Sequence, residues 1–433
     1  MKKIVKLVLL FLTLTMVLSL AVSAAKPKKS ITMRFSWWGD SKRNEATFKA
    51  IELYQKLHPE VTIEGEPGAF NTYYQKLLTQ LASKTAPDIV QTDYKWVGDL
   101  MMNQSNAFTN INDLSKIIDL SEFDLKPIQG YLGAGDYMIG VPAGVNGRGL
   151  LYNTEFFKKF NIKAGNDWTW DKMLEVGTMV NKQDKDSHLL YFEKNAILYL
   201  VQTSIKQKYS SDMFTPDYKM VFNEQDLVDA FTYIRKLVDS GTLPPFEEMV
   251  PYDSVYSDQV PNWLNGKWGM TALSASNLPP IIAASKFEIG TMRWMVMPGA
   301  KDSGIVVAPT QLLSINNNSP NKIEAAKFVN WLVNDEKALA ITKDTRGIPV
   351  NKRARKKLED QNIIPGPVSS MITQAMAQPG SSENSVTLNP QLLDITRQYI
   401  YKVGYKKMTP EEAARQAMGD YKIALESLKN RTK

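Results

Sequence analysis

Apolar residues first dominate in one run, from Ile4 to about Leu20, between Met1-Lys2-Lys3 and Val22-Ser23-Ala24-Ala25. A basic start, a short apolar stretch and small residues make the pattern of a secretory signal peptide, with cleavage expected near Ala24. The run is about 16 residues, short of the roughly 20 that a membrane span needs. From Ile31 to Trp37 apolar and polar residues alternate, the period of a strand. The stretch 44–58 sets Ala46, Ala50, Leu53 and Leu57 on one helical stripe, with Asn44 as its cap and Pro59 as its stop. Residues 61–64 read as a second strand, and 73–83 as a second helix with Tyr74, Leu77, Leu78 and Leu81 inward. After the breaker Ala86-Pro87, residues 88–92 read as a third strand. Strand, helix, strand, helix, strand implies parallel pairing with helices on both faces. Ligands sit at the carboxyl ends of such strands, which here are the loops 38–43, 66–70 and 93–96.

Further along, the rhythm breaks at three places. Residues 140–149 are dense in glycine and run into Leu150-Leu151-Tyr152-Asn153, a pattern shared by an extended crossing between lobes and by a plain surface loop. Residues 304–309 and 345–350 have the same character. Between and after them lie three helical patterns. One starts near Trp168 with Thr169 as its cap. One covers 322–333 with Ala325, Ala326, Phe328, Val329 and Leu332 apolar. The last, charged and amphipathic, runs from Thr409 with Pro410 in its first turn.

Composition narrows what such a chain does. Removing 24 of 433 residues leaves 409, more than one compact core accommodates and suited to two lobes. There is no cysteine, so disulfides, thiolate metal sites, cysteine nucleophiles and a cysteine-linked lipid anchor are excluded. The two histidines, His58 and His188, rule out a histidine-rich metal site, and His58 before Pro59 reads as an ordinary surface residue. The formal charge of +7 becomes +4 once Lys2, Lys3 and Lys6 leave with the signal. The basic clusters 26–29 and 352–357 read as solvated surface rather than nucleic-acid patches, since no nucleic-acid motif accompanies them. Aromatics make up 10% of the chain, with nine tryptophans, several in the loops named above.

A set of short motifs then falls in order: Trp37-Trp38-Gly39-Asp40, Ala86-Pro87-Asp88-Ile89-Val90, Gly140-Val141-Pro142 with Leu151-Tyr152-Asn153, Trp170-Asp171, residues 265–271, and residues 320–332. In this order and spacing the chain resembles the extracellular solute-binding proteins of ABC transporters, in the branch that serves oligosaccharides and includes maltose-binding protein. The opening Trp37-Trp38-Gly39 and Asn146-Gly147-Arg148 look most like members that take up pectic oligosaccharides. The resemblance implies an α/β, two-lobed periplasmic binding protein fold of type II, with a ligand cleft between lobes and three hinge crossings. It divides the chain into an N-terminal lobe from 25–143 and 309–346 and a C-terminal lobe from 144–308 and 347–433. It implies a monomer, located in the periplasm or outside the cell, that needs no cofactor or metal. It would take an oligosaccharide, uronate-containing sugars among the candidates, to the permease subunits of an importer. Nucleic acid is not a partner, and the membrane is met only through the permease.

Sugars present a hydroxyl rim and weakly apolar ring faces, so their sites combine fixed hydrogen-bond partners with flat aromatic faces. On that ground Trp38, Phe70, Tyr94 and Trp96 are the candidate stacking faces, and Trp37 reads as core. Asp40, Arg43, Gln91 and Asp93 are candidate hydroxyl partners; Asp40 lines up with an acidic sugar contact of the maltose-binding branch, and Asp93 has a rival role as a helix cap. Asn146 and Arg148 lie at the first crossing, where an arginine fork suits either a uronic carboxylate or a structural ion pair. Tyr191 and Glu193 match the region where the family meets ligand from the C-terminal lobe. Ser274, Ser276 and Asn277 occupy a segment where maltose-binding protein carries a stacking tryptophan, a departure that argues against maltodextrin. The competing class is a secreted glycosidase or polysaccharide lyase, in which Asp40 and Asp93 would have to meet as a carboxyl pair. No serine nucleophile elbow and no phosphate loop is present.

Overall fold

The computed structural model describes residues 30–103, 106–193, 196–253, 255–384 and 386–431. The signal segment and the basic cluster at 26–29 lie outside them. Strand β1 (Ile31–Trp38) pairs in parallel with β2 (Val61–Gly68) and with β3 (Ile89–Thr92). The first helix spans Ser41–Leu57 and the second Phe70–Ala82. The parallel start read from the sequence is therefore present, with boundaries shifted. Asp40, not Asn44, caps the first helix: its carboxylate accepts the Arg43 N–H at 2.9 Å, whereas Asn44 accepts the Trp37 indole N–H at 2.8 Å. The buried face of that helix is Ala46, Thr47, Ala50, Ile51 and Tyr54. Leu57 is 44% exposed, because Tyr54 takes the inward place against Phe328 and Trp331.

A small hairpin of β4 (Gly133–Ala134) and β5 (Tyr137–Met138) precedes the long strand β6 (Val141–Asn153). Strands β7 (His188–Leu190), β8 (Trp268–Ser274), β9 (Ile289–Met292) and β10 (Val307–Ile315) complete the sheet in the order β2-β1-β3-β10-β6-β8-β7, with β9 also paired to β6. The glycine-dense segment at 140–149 is thus an extended crossing rather than a surface loop. Its first half, to Gly147, is antiparallel to β10. Its second half, from Arg148, is antiparallel to β8 and β9. One half of the molecule is built on β1, β2, β3 and β10, the other on β7, β8 and β9, and β6 belongs to both.

The second crossing, β10, carries a register shift between Pro309 and Gln311 beside β6. The third runs alongside, where the Val145 N–H donates to the Ile348 carbonyl at 2.7 Å. The fit is close: a Cβ on Gly144 would lie 2.1 Å from the Arg346 carbonyl oxygen, so only glycine lets these backbones approach. Gly347, at φ +93°, makes the bend. The side chain of Arg346 is 5% exposed and reaches Thr47 Oγ1 at 2.7 Å, while its Nε and other terminal nitrogen have no hydrogen-bond partner among the described residues. Burial, and the like charge of Arg43, push its pKa down to about 9. Among the described residues no helix is long and apolar enough to cross a membrane.

Candidate functional site

The carboxyl ends of β1, β2 and β3 bring their loop aromatics together. Trp38 is 8% exposed and packs on Phe70, Tyr73 and Trp96 with ring centroids 5.5, 5.1 and 5.1 Å away. Trp96 stacks on Tyr74 at 4.5 Å and 23°, and lies nearly parallel to Phe70 at 5.9 Å and 18°. Phe70, the first residue of its helix, is 49% exposed. Tyr73 anchors the cluster through a 2.7 Å hydrogen bond with Ser36, and burial raises its pKa. Tyr74 donates to Asp99. Aromatic pairs contribute about 0.5–1.5 kcal/mol each beyond the area they bury, so the wall's rings stabilise one another.

Polar candidates frame this wall mainly by holding backbone. The Trp38 carbonyl accepts from Arg43 at 2.9 Å and from Gln91 at 3.0 Å. Arg43 also donates through Nε to the Thr345 carbonyl at 2.8 Å, tying the wall to the third crossing. Burial lowers the Arg43 pKa, against an opposing pull from Asp40. Asp93 is buried and accepts the Lys95 N–H at 2.9 Å, capping the short turn that presents Tyr94 and Trp96. Burial raises the Asp93 pKa. Tyr94 packs edge-on against Tyr131 at 5.1 Å, and its pKa is pushed up to about 12, chiefly by burial and then by Asp93 and Glu383.

Across the seam stands Arg148. Its guanidinium forks onto Glu383 at 2.8 and 3.4 Å and lies over the Tyr199 ring at 4.5 Å. Of the two roles open to this arginine in the sequence, the structure gives it the ion pair. Asn146 is engaged as well, donating to Ser276 Oγ at 3.0 Å and accepting from the Ser276 and Gly147 N–H groups. Ser274 is the register partner of Arg148 at the end of β8, and Ser276 and Asn277 form the turn beyond it. Tyr191 and Glu193 lie elsewhere: both are enclosed, at 0% and 1% exposure. Tyr191 packs between Trp263 and Trp268, and Ser257 Oγ, which also bonds Tyr191, donates to Glu193 at 2.6 Å. In this conformation both side chains are closed off from solvent.

Sequence reasoning missed Tyr131, Tyr199 and Glu383 at the seam, and the structural role of Tyr73 in the wall. Tyr73 and Tyr74 stand three and four residues after Phe70, the spacing of one helix face, and that signal was available. Glu383 lies 235 residues from Arg148, and no local pattern marks it. Two small cavities of about 20 and 10 Å³ flank Arg148, the larger also lined by Tyr199, Lys206, Asp212, Trp294 and Glu383. The larger has room for a single water.

The chain matches the bacterial extracellular solute-binding proteins over residues 49–365, and it belongs to that family. A putative ABC transporter periplasmic-binding protein of Escherichia coli K12, YcjN, is 22% identical over 303 residues, covering 68% of this chain and 66%, just under two thirds, of the relative. Among solved structures, a family 1 extracellular solute-binding protein of Alicyclobacillus acidocaldarius superposes with a TM-score of 0.82 at 21% identity, covering 91% of this chain and 98% of the other. A periplasmic oligogalacturonide-binding protein of Yersinia enterocolitica is 25% identical, with a TM-score of 0.74 and coverage of 91% and 100%. The fold is thus the two-lobed α/β architecture of solute-binding proteins.

Proposed function

We propose that this protein captures an oligosaccharide between its two lobes and delivers it to the permease of an ABC importer. The observation that carries the reading is the aromatic wall of Trp38, Phe70 and Trp96 at the carboxyl ends of β1, β2 and β3. Flat rings held rigidly beside a polar rim are what a sugar ring requires. In this reading Trp38, Phe70, Tyr94 and Trp96 supply the apolar face, Asp40, Arg43, Asp93, Asn146, Arg148, Ser274, Ser276 and Asn277 are the candidate rim, and Gln91, enclosed, holds the Trp38 carbonyl from behind. Tyr191 and Glu193 are support behind the rim. The lobes divide at residues 143, 308 and 346, and closure about the crossings turns binding into a signal the permease reads, because a ligand shifts that equilibrium only by its differential affinity for the two states. Capture in the micromolar range corresponds to roughly −8 kcal/mol. The protein acts as a monomer outside the cytoplasmic membrane.

A glycosidase or lyase is the weaker reading. Asp40 and Asp93 each cap a helical turn through a backbone N–H, work that does not call for a catalytic carboxyl pair. Calorimetry against pectic, xylan and starch oligosaccharides tests the proposal. It expects one saturable ligand per chain, a change in tryptophan emission on binding and no hydrolysis product. Absence of binding across the panel would overturn the carbohydrate reading, and turnover would replace it with an enzyme.

A further inference from the structure

The internal carboxylate on Arg148 has a consequence for what the seam accepts. Resting on the oligosaccharide reading above, we infer that Glu383 sets the charge class of the ligand: it fills the guanidinium fork from within and reserves the site for neutral sugars over uronates. Arg148 stands at the point where β6 passes from one half of the sheet to the other. Its guanidinium is a fork of the kind that suits a sugar carboxylate. Glu383 holds both sides of that fork, at 2.8 and 3.4 Å. The pair is largely withdrawn from water, with side-chain exposures of 25% and 8%, and Tyr199 covers one face of the guanidinium.

Glu383 is fixed in this position by its own segment. Its N–H donates to the Tyr131 hydroxyl at 2.8 Å, a contact that reaches the opposite half of the molecule. The next residue, Asn384, donates its N–H to Asp212 at 2.6 Å, and Asp212 pairs with Lys206. Upstream, the Gly380 N–H bonds the Ile305 carbonyl and the Ser381 N–H bonds Asp302, both at 2.7 Å. A bound uronate would therefore compete with a tethered, oriented carboxylate whose effective concentration is high. Displacing it would also leave Glu383 as an unpaired, mostly buried anion beside Asp212. Neutral sugars incur neither cost, since Arg148 and Glu383 together carry no net charge.

The test compares wild type, Glu383→Gln and the double variant Glu383→Gln/Arg148→Gln by calorimetry. The probes are digalacturonate and the neutral oligosaccharides of the panel above. The readout is the ratio of digalacturonate affinity to neutral-sugar affinity, which a general loosening of the seam would not raise. Wild type is expected to favour a neutral sugar. Glu383→Gln, keeping the shape and removing the charge, is expected to move the ratio at least tenfold toward digalacturonate, and the double variant to lose that gain. A wild type that prefers digalacturonate overturns the inference, even if the variants fail to fold. A ratio unmoved in Glu383→Gln overturns it too, and leaves the oligosaccharide reading standing. No binding by any panel sugar or by digalacturonate would overturn both.

Discussion

Lys206 and Asp212 form a charge pair deep beneath the seam, and removing one partner gives a sharp test of how this region is held. Their side chains are 4% and 3% exposed, with Nζ 2.7 Å from Oδ1. The helix Leu198–Tyr209 carries Lys206, and a left-handed cap at Ser210 (φ 55°) turns the chain so that Asp212 comes back beneath it. Burial raises the Asp212 pKa and Glu383 raises it further; the opposing pull comes from Lys206 and the Asn384 N–H. The Lys206→Met variant keeps the apolar stem and deletes the charge. At 2.7 Å and an effective dielectric of 20 the lost attraction is about 6 kcal/mol, and measured losses on breaking buried pairs run about 3–5 kcal/mol. The sign with pH follows from the carboxylate. Its folded-state pKa, already above the ordinary value, climbs further without Lys206, so the folded variant binds more protons than the unfolded chain between those two values. Stability of the variant relative to wild type therefore rises as pH falls from 7.5 toward 5. Urea unfolding of wild type, Lys206→Met and Lys206→Met/Asp212→Asn at both pH values reads this out. The single variant should lose about 3–5 kcal/mol at pH 7.5 and less at pH 5, and the double variant should regain most of the loss. A single-variant loss under about 1 kcal/mol, or a deficit independent of pH, would refute the reasoning.

Three other outcomes follow from contacts described above. Phe70→Ala removes the exposed ring of the wall and should weaken the sugar ligand about tenfold, or 1.4 kcal/mol, with little change in Tm; full affinity by calorimetry would take Phe70 out of the site. Asp40→Ala removes a helix cap and should lower stability by about 1 kcal/mol in urea unfolding; wild-type stability would show that the cap is dispensable. Arg346→Met replaces a buried guanidinium that has one side-chain hydrogen bond, to Thr47, and lies over the Phe35 ring, and should stabilise the protein by about 1–4 kcal/mol at pH 7.5. A variant less stable than wild type at pH 7.5 would show that the guanidinium is compensated.

What the sequence revealed, it revealed through periodicity. The alternation from Ile31 and the stripes of the first two helices carried the parallel start of the sheet, and the three aromatic loops followed from strand order alone. The shift of the first helix came from a local competition: Asp40 and Asn44 both suit a cap, and the indole of Trp37 claims Asn44. The glycine-rich segments left crossing and loop equally open, because extended backbone pairs with strands far away in sequence. Ion-pair partners were out of reach for the same reason. Arg148 has a chemistry that suits a carboxylate, but nothing local says whether that carboxylate arrives with the ligand or sits in the chain 235 residues further on. Tyr191 and Glu193 were equally opaque, since the rings and hydroxyl that enclose them belong to residues 257, 263 and 268.

The sharing of β6 bears on how the molecule comes apart. Neither half owns the strand outright, so cutting the chain at either end of it would strip one half of a paired neighbour and leave a row of unsatisfied amides along a raw sheet edge. The halves are consequently poor candidates for separate expression, and unfolding of one should propagate to the other through that common ribbon. A strand held in common makes the two halves stand or fall as one.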